Sequence, residues 1–158
     1  MKVKIIVASL LFTAGFMVQG QTTKQPVQLN LKSGESVDAI HFGQLKCGKE
    51  IYGDNYIILK GKYMNAVTEI RDFRDIEKII LVGYKEAPTA SLGNEKGKLN
   101  IIKKNGVEVT MDDAEIVMSC YSTGDNYNTL IVQILNPLSN QPSEFIVETR
   151  NLHSIIFK

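Results

Sequence analysis

A set of short motifs occurs twice along the 158 residues of this chain, and this repetition limits the fold more than any other feature. The tetrapeptide Gly53-Asp54-Asn55-Tyr56 recurs letter for letter as Gly124-Asp125-Asn126-Tyr127, and an apolar run follows each copy. Two further matches keep the same order: Val27–Gly34 resembles Gly97–Gly106, and Glu69–Leu81 aligns without a gap with Phe145–Phe157. Because the order and spacing are kept with only small insertions, the sequence predicts an internal duplication.

Each copy contains the pattern of five β-strands. Runs rich in Ile, Val, Leu, Tyr and Thr are separated by turn-forming pairs such as Ser-Gly and Asn-Gly. The predicted strands are 27–32, 36–46, 55–63, 67–72 and 77–82 in the first copy, and 98–103, 107–119, 128–136, 143–148 and 153–157 in the second. No segment keeps a helical apolar period over the length that a stable helix needs. The predicted fold class is all-β, with one helical turn before each last strand, at Phe73–Ile76 and Thr149–Leu152.

The first twenty residues differ from the rest of the chain. Lys2 and Lys4 precede an apolar run from Ile5 to Val18, and the small residues Val18 and Gly20 suit the two positions that a signal peptidase reads. The run is short for a membrane span of ~20 residues. We therefore predict a cleaved signal peptide, export to the periplasm or the medium, and no stable membrane insertion afterwards. A retained anchor and a buried N-terminal element are the alternatives.

The remaining chain divides at changes of composition. Residues 21–26 are predicted to be a flexible N-terminus, 27–82 the first β repeat, 83–97 a linker rich in small and polar residues, and 98–158 the second β repeat. Removal of residues 1–20 takes away two of the 18 basic side chains and none of the 17 acidic ones. The mature chain is then nearly neutral and has no basic stripe that could neutralise phosphates, so nucleic acid is not an expected partner.

Each repeat resembles the small SH3-like or Sm-like β-barrel. The resemblance rests on a first strand that runs into a glycine turn, a long second strand, two further strands, and a one-turn step into a closing strand. The step is Asp75-Ile76-Glu77-Lys78-Ile79 in the first copy and Asn151-Leu152-His153-Ser154-Ile155 in the second. The resemblance to this family implies two tandem five-stranded barrels and no particular activity. The RNA-binding loop motifs of the family are absent from the sequence. One sandwich built from the same strands is the alternative.

Cys47 and Cys120 are the only cysteines, and each lies at the end of the long second strand of its repeat. An even number of cysteines in an exported chain permits a disulfide. If the repeats pack about a pseudo-two-fold axis, the two positions could meet. The alternative is two separate buried thiols.

Few residues have a pattern that could support chemistry. His41 and His153 are far apart in sequence, and a structural or surface role is favoured for both. Asp112, Asp113 and Glu115 form the densest acidic cluster, but no calcium-loop spacing is present and we expect a solvated edge. No nucleophile elbow or phosphate-binding glycine loop occurs. The sequence therefore predicts neither an enzyme nor a metal or cofactor site.

Tyr52, Tyr56, Tyr121 and Tyr127 cluster at the two Gly-Asp-Asn-Tyr turns. Their amphipathic rings suit either a barrel rim or a recognition surface. The leading hypothesis is a non-catalytic exported module that binds a protein partner through strand edges that accept a partner strand, and an inhibitor or immunity-type protein is a specific version of it. The alternative is a domain that binds carbohydrate or another small ligand on these tyrosines.

Overall fold

The computed structural model describes residues 25–42, 46–47, 50–51, 57–84, 95–118, 126–127 and 129–158. Its elements are β1 (Val27–Leu31), β2 (Ser36–His41), β3 (Lys46–Cys47), β4 (Glu50–Ile51), β5 (Ile57–Tyr63), β6 (Ala66–Ile70), β7 (Ile76–Val82), β8 (Gly97–Lys103), β9 (Glu108–Met118), β10 (Asn126–Tyr127), β11 (Thr129–Leu135), β12 (Pro142–Glu148), a single 3-10 turn (Thr149–Asn151) and β13 (Leu152–Phe157). The all-β prediction is confirmed for these residues. All ten predicted strands are present, although the second ends early, at His41.

Ten strands form one antiparallel sheet in the order β12-β11-β2-β1-β13-β7-β8-β9-β5-β6. The short β10 pairs with the end of β9, and β3 pairs with β4 as a separate two-stranded ladder. The sheet is not closed, because among the described residues β12 and β6 each pair on one side only.

The strand order is symmetric with respect to the two predicted repeats. Exchanging β1, β2, β5, β6 and β7 with β8, β9, β11, β12 and β13 returns the same order, read from the opposite end. The centre of this symmetry is the β7–β13 pair, where Ile79 lies opposite Ile155. These two isoleucines occupy the same position in the gap-free alignment of the two copies, and both are fully buried.

The sequence predicts two self-contained five-stranded units, one for each repeat, whereas the strands of the two repeats pair with each other in this sheet. The β5–β6 hairpin of the first repeat pairs with β9 of the second, and the β11–β12 hairpin pairs with β2 of the first. Each half of the sheet therefore combines strands from both repeats. The physical reason is that β2 and β9 carry similar alternating patterns, so that a hairpin can pair with either, and alternation along a strand does not encode its neighbour.

Both predicted local turns occur, and each is the same in the two copies. Gly34 and Gly106 have φ angles of 93° and 82°, and their N–H groups donate to the carbonyls of Leu31 and Lys103 at 3.1 and 2.8 Å. Glycine suits these positions because other residues rarely adopt a positive φ. The steps before β7 and β13 also agree with the prediction: Ile76 N–H donates to Phe73 O at 3.0 Å, and Leu152 N–H donates to Thr149 O.

One hydrophobic cluster contains inward-facing residues from both halves of the sheet. At one place it is closed by three rings: Phe42 meets Phe73 and Phe157 edge to face at centroid distances of 5.3 and 5.0 Å, and Phe73 stacks on Phe157 at 5.7 Å. Aromatic pairs in these geometries stabilise a core beyond the area that they bury. Because the three rings come from after β2, before β7 and the end of β13, they join parts of the chain that are distant in sequence.

Candidate functional site

Most of the side chains that the sequence suggested for binding lie outside the described residues. This applies to Tyr52, Tyr56, Tyr121 and Cys120. Tyr127 and Cys47 are described by their backbones alone: Tyr127 pairs with Val117 of β9, and Cys47 pairs with Glu50 of β4. The tyrosine surface and the disulfide therefore stay predictions.

The two histidines lie on different strands and are not brought together. His41 is on β2 and is 3% exposed, whereas His153 on β13 is exposed, and β1 lies between these strands. Within the described part of the chain, no three His, Cys, Asp or Glu residues are grouped so that they could hold a metal ion.

The acidic cluster on β9 is solvent-exposed but does not form a sheet edge, because β9 lies between β8 and β5. Asp112 and Asp113 share an irregularity in the β9 pairing, where Asp113 has a φ of 48°. Lys98 lies 3.0 Å from Asp112, and Lys62 lies 2.7 Å from Asp113. The hydrogen bond from Lys62 lowers the pKa of the Asp113 carboxyl and raises that of the lysine itself. Each aspartate thus has its own surface lysine, which is the arrangement of a solvated charged face.

The charged face borders a shallow cleft of about 320 Å³ next to the start of β8. Lys96, Lys98 and the two aspartates line it, together with backbone around Gly83 and Gly97. Charges of both signs alternate around this cleft, so it favours neither an anion nor a cation.

Glu95 is a buried carboxylate that was not predicted from the sequence, because the residue lies in the segment predicted to be a linker. Its side chain is 5% exposed. Glu95 Oε2 accepts hydrogen bonds from Thr149 Oγ1 at 2.8 Å and from the N–H of Arg150 at 3.0 Å. The carboxylate therefore attaches the chain just before β8 to the turn that leads into β13, which is a structural role.

Tyr84 lies at the other end of the predicted linker and is also buried. Its hydroxyl donates to Ala114 O of β9 at 2.7 Å. Burial raises the pKa of this hydroxyl well above its ordinary value, and the charges of Glu115 and Glu95 add to the effect. The phenol is thus held as a neutral hydrogen-bond donor, and it is not a candidate acid or base at neutral pH.

The two ends of the sheet are the surfaces with unsatisfied pairing capacity. An edge strand presents a row of backbone N–H and C=O groups that another chain can pair with. The β6 edge is short, and on it Val67 is 83% exposed. The β12 edge is longer, and on it Ile146 is 62% exposed. On the ten-strand path these two strands are paired on one side only among the described residues, and the two-residue β10, which pairs with β9 alone, is the other strand of this sheet with an open side.

A second cleft, of about 330 Å³, lies along the β12 edge. It is lined by Ile146–Glu148 of β12, by Leu31–Ser33 at the end of β1 and in the β1–β2 turn, and by Asn151. Leu31 also packs against the core, so the apolar surface of this cleft continues into the interior. A strand that paired with β12 could place a side chain in this space.

The outward face of β12 carries Glu144, Ile146 and Glu148 at alternate positions. The carboxylate of Glu148 accepts hydrogen bonds from Arg150 Nε at 2.7 Å and from Asn151 Nδ2 at 3.4 Å. Glu144 forms no ion pair with any of the described residues. The sequence contains this alternation, but nothing in it indicates that the strand is at an edge.

The chain matches no protein-family model, no curated protein and no solved structure. Among the described residues there is also no helix with the length and hydrophobicity required to cross a membrane. The candidate site is thus defined by its geometry alone: an open antiparallel edge, an exposed isoleucine and an adjoining cleft.

Proposed function

We propose that this protein is an exported, non-catalytic module that recognises a protein partner by accepting an extended segment at the β12 edge. The observation that carries the proposal is the combination of the free edge of β12 with the cleft beside Ile146. In strand addition the backbone hydrogen bonds supply affinity, and pockets for alternate side chains supply specificity. The β12 edge offers both features.

The described side chains that could support chemistry have other surroundings. His41 and His153 are apart, the aspartates of β9 are each paired with a lysine, and Glu95 is used to hold a turn. Export follows from the predicted signal peptide at residues 1–20. An extracytoplasmic compartment sets the class of partner that the protein would meet, namely other exported or envelope proteins.

The proposal includes an origin by duplication of an SH3-like or Sm-like unit. The symmetric strand order supports this, since each half of the sheet has its strands in the order fourth, third, second, first, fifth of a repeat. In this interpretation the last three strands of each copy lie beside the first two strands of the other copy, and the two free edges, β6 and β12, are equivalent positions of the ancestral unit.

Affinity capture with two matched variants tests the binding proposal. The mature chain, Ile146→Glu and Val67→Glu serve as bait against envelope extract and culture medium, and retained proteins are identified by mass spectrometry. Both substitutions add one charge at an exposed edge position, so their effects on folding should be similarly small. We expect the partner to be retained by the wild-type chain and by Val67→Glu, and to be lost from Ile146→Glu.

The other outcomes are equally informative. Loss from Val67→Glu alone would place the site at β6. Retention by both variants would exclude the two strand edges as the binding surface, and the absence of any retained protein would count against a protein partner altogether.

A further inference from the structure

The charge distribution along β12 indicates what kind of segment the edge selects, and this inference rests on the proposed function. We infer that the partner segment carries a cationic side chain opposite Glu144 and a bulky apolar side chain opposite Ile146. In an antiparallel pair, side chains directly opposite each other approach to about 5 Å, and opposite charges at such positions are favourable. Glu144 and Ile146 point to the same face of β12, so a partner with this spacing of two meets both at once.

Glu144 is the part of the edge with uncompensated negative charge. It is exposed, and its neighbour across the β11–β12 ladder is the uncharged Gln133. At the other end of β12, Arg150 forms ion pairs with both Glu148 and the buried Glu95. Lys32 also lines the cleft, and its ammonium lies 3.5 Å from Tyr84 O. Glu144 is therefore the carboxylate of β12 that has no paired cation among the described residues, whereas a cation near Glu148 would meet Arg150.

The apolar requirement follows from the cleft. Its volume of about 330 Å³ lies beside Ile146 and is continuous with Leu31. Ile146 is 62% exposed, and a leucine or phenylalanine opposite it would cover part of its apolar surface. Covering apolar surface is favourable by about 25 cal/mol per Å².

The opposite edge makes a useful comparison. On β6 the carboxylate of Glu69 accepts a hydrogen bond from Arg71 at 2.9 Å and lies 3.8 Å from Lys60. Its charge is already compensated, so β6 should not distinguish a cationic segment from an anionic one. Charged residues on edge strands also oppose unspecific pairing. The test must therefore separate selection of a partner from simple protection of the edge.

The experiment titrates ¹⁵N-labelled mature protein with two peptides, Thr-Thr-Leu-Thr-Lys-Thr-Thr and Thr-Thr-Leu-Thr-Glu-Thr-Thr, and follows backbone amide shifts. The apolar residue precedes the charged one because the two strands of an antiparallel pair run in opposite directions. We expect shifts along β12 with both peptides and an affinity about two- to thirtyfold higher for the lysine peptide, since exchanging an opposite-charge pair for a like-charge pair changes the binding free energy by about 0.4–2 kcal/mol. In Glu144→Lys the preference should reverse. Glu77→Lys changes the net charge equally on the exposed face of the central strand β7 and should keep the wild-type preference.

Failure of this inference and failure of the proposed function give different results. Equal affinities for the two peptides at β12, or a preference that Glu144→Lys leaves unchanged, would overturn the charge rule while strand addition stands. If neither peptide shifts any β12 amide, strand addition at this edge is itself refuted, and the carboxylates of β12 serve only to protect the edge.

Discussion

Replacing Glu95 by alanine would remove the buried carboxylate that joins the chain before β8 to the turn before β13. The carboxylate accepts hydrogen bonds from Thr149 Oγ1 at 2.8 Å and from Arg150 N–H at 3.0 Å, and its other oxygen lies 3.8 Å from Arg150 Nε. Thr149 is 1% exposed, so water cannot readily replace the lost acceptor for its hydroxyl. Because alanine leaves both donors without this partner, we expect the free energy of unfolding to decrease.

The size of the decrease can be worked out from the two contacts. A hydrogen bond to a charged group contributes about 1.5–3 kcal/mol, and a buried donor left unsatisfied costs about 1–3 kcal/mol. The two bonds share one carboxylate oxygen and are not additive, so we expect a loss of about 3 kcal/mol for Glu95→Ala. Glu95→Gln retains one acceptor oxygen without the charge, and a loss of about 1–2 kcal/mol is expected. Against a total stability of about 5–15 kcal/mol, both changes are measurable.

Urea denaturation followed by circular dichroism is the assay, since the midpoint should fall while the slope stays constant. A double-mutant cycle of Glu95→Ala with Thr149→Val isolates the side-chain pair, and a coupling energy of about 1–2 kcal/mol is expected. Glu35→Ala is the control, because among the described residues this exposed carboxylate accepts a hydrogen bond from Ser33 alone, and its loss should change stability by less than about 0.5 kcal/mol. A loss below about 1 kcal/mol for Glu95→Ala, or a coupling energy near zero, would refute the assigned role.

Three further predictions concern other parts of the fold. Tyr84→Phe removes the hydrogen bond to Ala114 O and should lower the free energy of unfolding by about 1 kcal/mol at pH 8. Burial raises the folded-state pKa of this hydroxyl above the ordinary value of 10.0, so its contribution to stability is complete below pH 10 and is lost as the pH rises further. The difference in stability between wild type and variant should therefore narrow between pH 10 and 11, and a constant difference would contradict the assignment. Gly97→Ala would place a Cβ 2.5 Å from Tyr84 Cδ2 and 2.6 Å from Val82 O. We therefore expect a destabilisation of about 1–3 kcal/mol in the same urea assay. Lys96→Ala, at the exposed neighbouring position, is the control and should produce no measurable change. Thiol titration of the unreduced, denatured protein tests the predicted Cys47–Cys120 disulfide: no free thiol and a stabilisation of up to ~4 kcal/mol are expected if it forms, and two free thiols would exclude it.

Local features were predictable from the sequence because their causes are local. Alternating apolar residues placed the ten long strands, since side chains along a strand point to opposite faces with a period of two. Gly34 and Gly106 marked the two turns that need a positive φ. The steps at Phe73–Ile76 and Thr149–Leu152 also followed from nearby residues. Even the repetition of the pattern is a property of the linear chain.

The pairing of strands was decided only in three dimensions. The β5–β6 hairpin pairs with β9 rather than with β2, and the β11–β12 hairpin pairs with β2 rather than with β9. A strand's own pattern says which face is buried and does not say which strand lies beside it, because the two repeats offer similar partners. The position of β12 at an edge, and with it the exposure of Ile146 beside Glu144, depends on this choice. For the same reason the burial of Glu95 could not be read from a segment with linker composition: its partners, Thr149 and Arg150, come from a distant part of the chain.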